Sequence, residues 1–167
     1  GQGPRTIAAT MRRALDTVPR VWAETTVRTA QIWGYRTAAH ESYRANPDLV
    51  RGWIWTAALD SRTCLGCLSQ HGTFHTNDET LNGHDGCRCA PIPVVRGVDL
   101  SIQTGPEWFD GLSGSTQRDI MGPSRYAAYK AGEFDWNNAT SHYTHEPYGD
   151  MLRSATLDEM GIERIMP

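Results

Sequence analysis

Five side chains suited to soft or borderline metal ions fall within 26 positions of this chain: Cys64, Cys67, His84, Cys87 and Cys89. The run Cys64-Leu65-Gly66-Cys67 puts two thiolates on one tight turn, and sixteen residues later His84-Asp85-Gly86-Cys87-Arg88-Cys89 supplies an imidazole and two more. Sulfur with one nitrogen selects zinc over calcium or magnesium, which take oxygen ligands. Five candidates compete for four tetrahedral positions. Either all four cysteines bind and His84 orients the loop, or His84 binds and Cys87 or Cys89 is spare. If residues 87–89 are extended, Cys87 and Cys89 share one side and Arg88 faces the other, which favours both thiols as ligands. The competing readings are two disulfides or inert thiols. Cysteines confined to one stretch, with none on either flank, are the wrong distribution for a domain stapled throughout by disulfides.

A catalytic zinc needs an open coordination position and a neighbouring acid or base, and Glu79, His71 and His75 lie in the same loop. Thiolate donors leave zinc a poorer Lewis acid and make the site a better staple, so the expectation is a structural ion with no catalytic residue. Metal binding can supply on the order of 10 kcal/mol to a small fold. The loop around Asp78, Asn82, Gly83, Asp85 and Gly86 has little apolar content of its own. His142 and His145 lack neighbouring cysteines and read as surface residues. In Asp60-Ser61-Arg62-Thr63 the acid and the threonine suit backbone bonding in a turn, with Arg62 paired to an acid. The chain carries no glycine-rich phosphate loop, nucleophile elbow or zinc-protease helix motif.

The elements that must hold these residues follow from patterning. Ile7, Met11, Ala14 and Leu15 recur at helical spacing, and Thr17 followed by Pro19 reads as a cap for a second helix running from about 19 to 45. Trp22, Thr25 or Thr26, Thr29, Trp33 and His40 form its intermittent inner stripe, and Asn46-Pro47 stops it. Trp53-Ile54-Trp55-Thr56-Ala57 reads as a strand, partnered by Pro91-Ile92-Pro93-Val94-Val95, whose prolines place it at an edge or beside a bulge. The cysteine cluster lies between these strands. Residues 97–107 read as a linker. Short helices follow over 108–112, 115–121 and 124–131, residues 137–149 show no period, and Thr156-Leu157-Asp158-Glu159 is a capping-box pattern.

The predicted fold class is therefore α+β: long N-terminal helices on a small sheet with a zinc-tied loop, then short helices and an irregular C-terminal tail. The expected divisions are a helical segment over 1–50, a zinc-stabilised core over 51–135 and a tail over 136–167. A length of 167 residues suits one ordinary domain. Six tryptophans and six tyrosines supply the large anchors that disordered chains lack, although the mean hydropathy is only -0.51. Apolar runs are far too short for a bilayer span, so neither membrane insertion nor an attached signal peptide is expected. The net charge of -3 is unevenly spread: residues 1–52 carry eight arginines against four acids, and the remainder eight basic against fifteen acidic side chains. That distribution disfavours a general nucleic-acid coat while leaving a locally basic first third.

Taken together, residues 53–67, His71-Gly72 and His84-Asp85-Gly86-Cys87-Arg88-Cys89 resemble the phage head morphogenesis domain of Mu F-like minor head proteins. Val27-Arg28-Thr29-Ala30 is similar to that family's arginine-threonine-glutamate helix, with Ala30 at the acidic position, and Trp108-Phe109 and residues 122–126 resemble the domain's tail. The resemblance spans about residues 20–135. It implies a non-enzymatic minor capsid component of a tailed phage, located in the virion head and, during assembly, in the host cytoplasm. Its implied partners are the portal or the major capsid protein, with packaged DNA touched through the arginine-rich N-terminal segment. Zn2+ is the implied cofactor, with Cys64, Cys67, His84, Cys87 and Cys89 matching the family's metal motif. The competing readings are a zinc-supported DNA-binding or nuclease module, or a packaged effector.

Overall fold

The computed structural model of the chain describes residues 3–14, 19–146 and 148–165. Leu15 and the cap expected at Thr17 lie outside the described residues. Helix α1 (Pro4–Ala14) packs on the first turns of α2 (Arg20–Arg44), with Ala8, Ala23 and Val27 buried at the crossing and Ile7 and Met11 beside them. Pro19 opens α2, and the chain breaks away from it at Ala45, ahead of Asn46-Pro47. Ion pairs from Glu24 to Arg20 and Arg28, one turn away on either side, support its exposed face.

The inner face of α2 matches the stripe read in the sequence at Thr29 and His40 and departs from it at the tryptophans. Beyond the α1 crossing its buried residues are Thr29, Arg36, His40 and Tyr43, whereas Trp22 and Trp33 are 54% and 41% exposed. The buried face is polar because it serves the backbone of a loop rather than an apolar sheet. The tryptophans are therefore poor guides to the inner side of this helix.

Strands β1 (Val50–Thr56), β2 (Phe74–His75) and β3 (Ala90–Val95) form an antiparallel sheet in the order β2-β1-β3. Trp53 and Trp55 of the central strand sit opposite Pro93 and Pro91, so the proline strand lies at an edge as its sequence requires. Between β1 and β2 lies a short helix that the sequence reading takes for a turn, α3 (Leu65–Gln70). Trp53, Trp55, Tyr43, Leu81 and Leu152 pack with Cys67, Cys87 and Cys89 in one buried cluster.

A second cluster, built on Leu65, Leu68, Phe109 and Met121, joins α3 to three later helices: α4 (Gly105–Asp110), α5 (Gly114–Met121) and α6 (Pro123–Ala131). The end of the segment read as a linker is already helical. Thr104 caps α4 by accepting from the Glu107 amide at 3.3 Å while the Glu107 carboxylate accepts from the Thr104 amide at 2.8 Å. Gly105 is required there, because a Cβ would collide with the Leu68 carbonyl.

The C-terminal tail is present but not irregular throughout. After a 3-10 turn at Trp136–Asn138, β4 (Thr140–His145) and β5 (Gly149–Ser154) pair as an antiparallel hairpin. Thr156 and Glu159 make the reciprocal bonds of a capping box, at 2.7 and 3.2 Å, yet these close a turn and not a helix.

Candidate metal centre

Two segments bring the cysteines together. Cys64 stands at the N-cap of α3 and its sulfur accepts from the Cys67 amide at 3.4 Å, which fixes both side chains on one helical turn. The loop between β2 and β3 supplies the rest. Gly86 takes a left-handed conformation (φ 70°), turning the chain between His84 and Cys87, and the Cys87 amide closes that turn on the His84 carbonyl at 3.0 Å.

The donor atoms of Cys64, Cys67 and His84 all lie within 4.8 Å of one another, as do those of Cys67, Cys87 and Cys89. Cys67 is common to both groups. The Cys64 sulfur is 3.2 Å from His84 Nε2, the Cys67 sulfur 3.5 Å from the same nitrogen, and the Cys67 and Cys87 sulfurs are 3.7 Å apart. A tetrahedron with metal–sulfur bonds of about 2.3 Å has sulfur–sulfur edges of about 3.8 Å, and somewhat shorter sulfur–nitrogen edges, so these separations fit a zinc-sized ion. All five residues line one small cavity of ≈ 30 Å³. None of the four cysteines is in a disulfide.

Protonation is divided among the donors: Cys64, then Cys87 and Cys89, hold the Cys67 thiol far above an ordinary thiol. The hydrogen bond from Cys67, then that from His84, pulls the Cys64 thiol down to about 4, and the contact with Cys64 holds the His84 imidazole up to about 9. Cys67, followed by Cys89, drives Cys87 far below an ordinary thiol, with the Arg36 charge adding to the shift. Thiolate and neutral imidazole are the ligand forms a metal requires, so an ion bound here would displace the protons held by Cys67 and His84. The second nitrogen of His84, Nδ1, lies 2.8 Å from the Asp85 carbonyl, which places its proton there and turns Nε2 toward the sulfurs.

The surrounding polar contacts come mainly from α2. Arg36, only 4% exposed, donates through Nε and Nη2 to the Cys89 carbonyl at 3.0 and 2.8 Å, and through Nη2 to the Cys87 sulfur at 3.1 Å. Thr29 accepts from the Gly86 amide at 2.9 Å, His40 Nε2 accepts from the Leu81 amide at 3.0 Å, and Tyr43 donates to the Pro91 carbonyl at 3.0 Å. Four residues on one helix face thus hold the loop from Leu81 to Pro91 by its backbone. Thr29 falls in the Val27-Arg28-Thr29-Ala30 segment; for Arg36, His40 and Tyr43 the sequence signal is helical spacing among polar residues on a helix with no continuous apolar face.

Asp60 anchors the far side, accepting both guanidinium arms of Arg88 at 2.6 and 2.7 Å. Arg88 thus points to Asp60, while the thiols on either side of it point to Cys67. Asp60 also accepts from the Arg62 amide at 3.0 Å and from the Thr63 hydroxyl at 3.2 Å, the turn chemistry expected of that segment. The C-terminal hairpin closes the third side. The Leu152 amide donates to the Asn82 carbonyl at 2.7 Å, Ser154 Oγ accepts from the Gly66 amide at 3.0 Å, and His145 Nε2 is 3.3 Å from Asp85.

The acids and bases of the same loop are held elsewhere. His71 Nδ1 accepts from the Ala57 amide at 2.8 Å, and burial lowers the pKa of its imidazole. His75 stacks on Trp53 at 4.3 Å and lies 3.1 Å from Glu79, which accepts from the Thr76 amide at 2.7 Å. None of the three lines the cavity between the cysteines. His142 and His145 stand three apart on a strand, so they point to opposite faces.

A small α+β protein assembled around a buried cysteine–histidine cluster is the class that fold and site define. Residues 1–92 match the model of the family described as Phage Mu protein F like protein, and the chain belongs to that family. The match takes in both long helices, the cysteine cluster and the start of β3; the helices after β3 and the C-terminal hairpin lie beyond it. No curated protein and no solved structure matches the chain. Among the described residues no helix is long and apolar enough to cross a membrane.

Proposed function

We propose that this protein is a minor capsid, head-morphogenesis component of a tailed phage: a structural assembly factor at the portal or inner shell, with one zinc ion tying its central loop. Family membership carries the general role. The zinc assignment is supported by three separations of tetrahedral length, Cys64–His84, Cys67–His84 and Cys67–Cys87. These four are the proposed ligands, and Cys89 is the fifth donor beside them, within 4.8 Å of Cys67 and Cys87. The ion would act as a staple, joining α3 to the loop before β3 and thereby presenting a fixed surface to a portal or major capsid subunit. The arginine-rich first third would face packaged DNA.

A nuclease reading finds less support, because His71, His75 and Glu79 are engaged with backbone, an aromatic ring and each other. Cryo-electron microscopy of assembled heads with the vertex resolved tests the proposal. Density for the chain at the vertex or inner shell is the expected result, and protease-free heads that lack the protein would overturn it. Metal analysis of the purified chain should return about one zinc per chain.

A further inference from the structure

Two grooves of opposite charge share α2 and the turn at residues 85–88 as walls. The first, ≈ 510 Å³, is lined by Arg28, Arg62 and Arg88 together with Pro4 and Ile32. The second, ≈ 320 Å³, is lined by Asp85, Glu146, Trp22 and Tyr148, with threonines of α2 between them. The arginine groove is not internally balanced. Arg88 is matched by Asp60 at hydrogen-bond distance, but Arg28 and Arg62 reach their nearest acids only at 3.9 and 3.6 Å, the longest ion-pair separations among the described residues. Their side chains are 51% and 79% exposed. In the other groove Asp85 is offset by His145, whereas Glu146 is exposed and has no ion-pair partner among the described salt bridges. Indole and phenol rings beside carboxylates form the surroundings a guanidinium prefers.

We infer that these grooves are the two halves of one self-complementary surface, through which two copies of this chain associate about a two-fold axis. Arg28 and Arg62 of each copy enter the Trp22–Tyr148–Glu146 groove of the other. A patch that carries both signs side by side meets its own complement when rotated by half a turn, and the contact closes at two copies. Apolar content for such an interface is already at the surface: Trp22, which lines the acidic groove, is 54% exposed, and Val21 beside it in sequence is 77% exposed. Aromatic anchors framed by arginine and carboxylate match the composition of protein interfaces. The inference concerns the isolated chain in solution, so its failure leaves the head-assembly reading untouched.

Sedimentation and light scattering on the zinc-loaded full chain provide the test, with far-UV circular dichroism and zinc content recorded for every variant. The wild type is expected to move from 18.6 kDa to twice that mass with rising concentration. Raising salt from about 0.05 M to about 0.5 M should weaken the association by an order of magnitude. Glu146→Arg should give a monomer, as should the pair Arg28→Glu with Arg62→Glu. Mixing these two folded proteins, or combining all three changes in one chain, should restore the dimer. Four results would overturn the inference: a wild type monomeric to about 100 µM at low salt, a dimer indifferent to these reversals, folded zinc-loaded variants that do not recover on mixing, or growth into open chains. Capture of an arginine-rich peptide by a chain that stays monomeric would overturn it as well, and would assign the acidic groove to a different partner.

Discussion

The Arg36 guanidinium and the Cys87 sulfur, 51 positions apart in sequence, meet at 3.1 Å in the protein interior. A buried arginine is stable only where charge and hydrogen bonds answer it. Here a thiolate answers the charge at Nη2, and the Cys89 carbonyl accepts from Nε and from that same Nη2. Arg36 and the proposed ion would both compensate the Cys87 sulfur. Arg36→Ala should therefore cost about 3–5 kcal/mol in chemical denaturation and speed the loss of zinc to a chelator. Arg36→Lys keeps the charge without the planar fork and should recover only part of both. Unchanged chelation kinetics in Arg36→Ala would remove this residue from the metal site.

The ligand proposal separates two cysteines. Cys67→Ser removes the thiol common to both donor groups and should lower zinc from about one per chain to near zero. Cys89→Ser should retain the ion with weakened affinity. Equal loss in both variants would instead make Cys89 a ligand, and the measurement is metal content after dialysis together with cobalt absorption in the thiolate charge-transfer region.

Gly83 lies under the cluster. A Cβ at this position would stand 2.5 Å from the Cys87 sulfur and 3.4 Å from Arg36 Nη1. Gly83→Ala should destabilise the fold by about 1–3 kcal/mol through overpacking, and should weaken zinc binding by displacing Cys87. A melting temperature and a chelator titration equal to wild type would sink that expectation.

A pH effect follows from His40. Burial, then the neighbouring Arg44 and Arg36 charges, push its imidazole from 6.5 down to about 4. The folded protein keeps this ring neutral while the unfolded chain protonates it, so its contribution to stability is intact above about pH 6.5 and is lost as the pH falls toward 4. The full effect is on the order of 2–3 kcal/mol. His40→Gln can keep an acceptor for the Leu81 amide without titrating. Zinc-loaded wild type should lose stability more steeply than this variant between about pH 7 and 5.5, and parallel slopes would contradict the assignment.

The cysteine–histidine cluster and the central sheet were legible in the sequence because each has a signature that needs no tertiary context. Cysteine spacing marks the first, and alternating tryptophans opposite a proline-bearing strand mark the second. The helix that supports the loop was legible in extent and, at Thr29 and His40, in orientation, but its inward Arg36 and Tyr43 were not. Thr29, Arg36, His40 and Tyr43 face inward because they bond to backbone, and hydrophobic patterning carries no record of that. The hairpin over 140–154 escaped for a related reason: it is mostly half-buried, so inward and outward positions differ little in polarity. Thr104 and Glu107 form a capping box whose signature stood in plain sight within a stretch otherwise rich in glycine and polar residues. The turn at Thr156 shows the converse, since its capping bonds form without a helix to cap.

The prolines of β3 also decide how a partner can approach. The Arg96 amide bonds inward to the Leu49 carbonyl, so by two-residue alternation the nitrogens of Pro91 and Pro93 face the open edge. That edge has no N–H to offer at either position, and the outward Pro91 carbonyl is already taken by Tyr43. A neighbouring strand would find no ladder to extend there, and β2, at the opposite edge, is only two residues long. Addition of a partner's strand to this sheet is therefore closed off along most of its perimeter. Unplanned backbone pairing at this sheet is thereby disfavoured, and specific contacts fall to side chains.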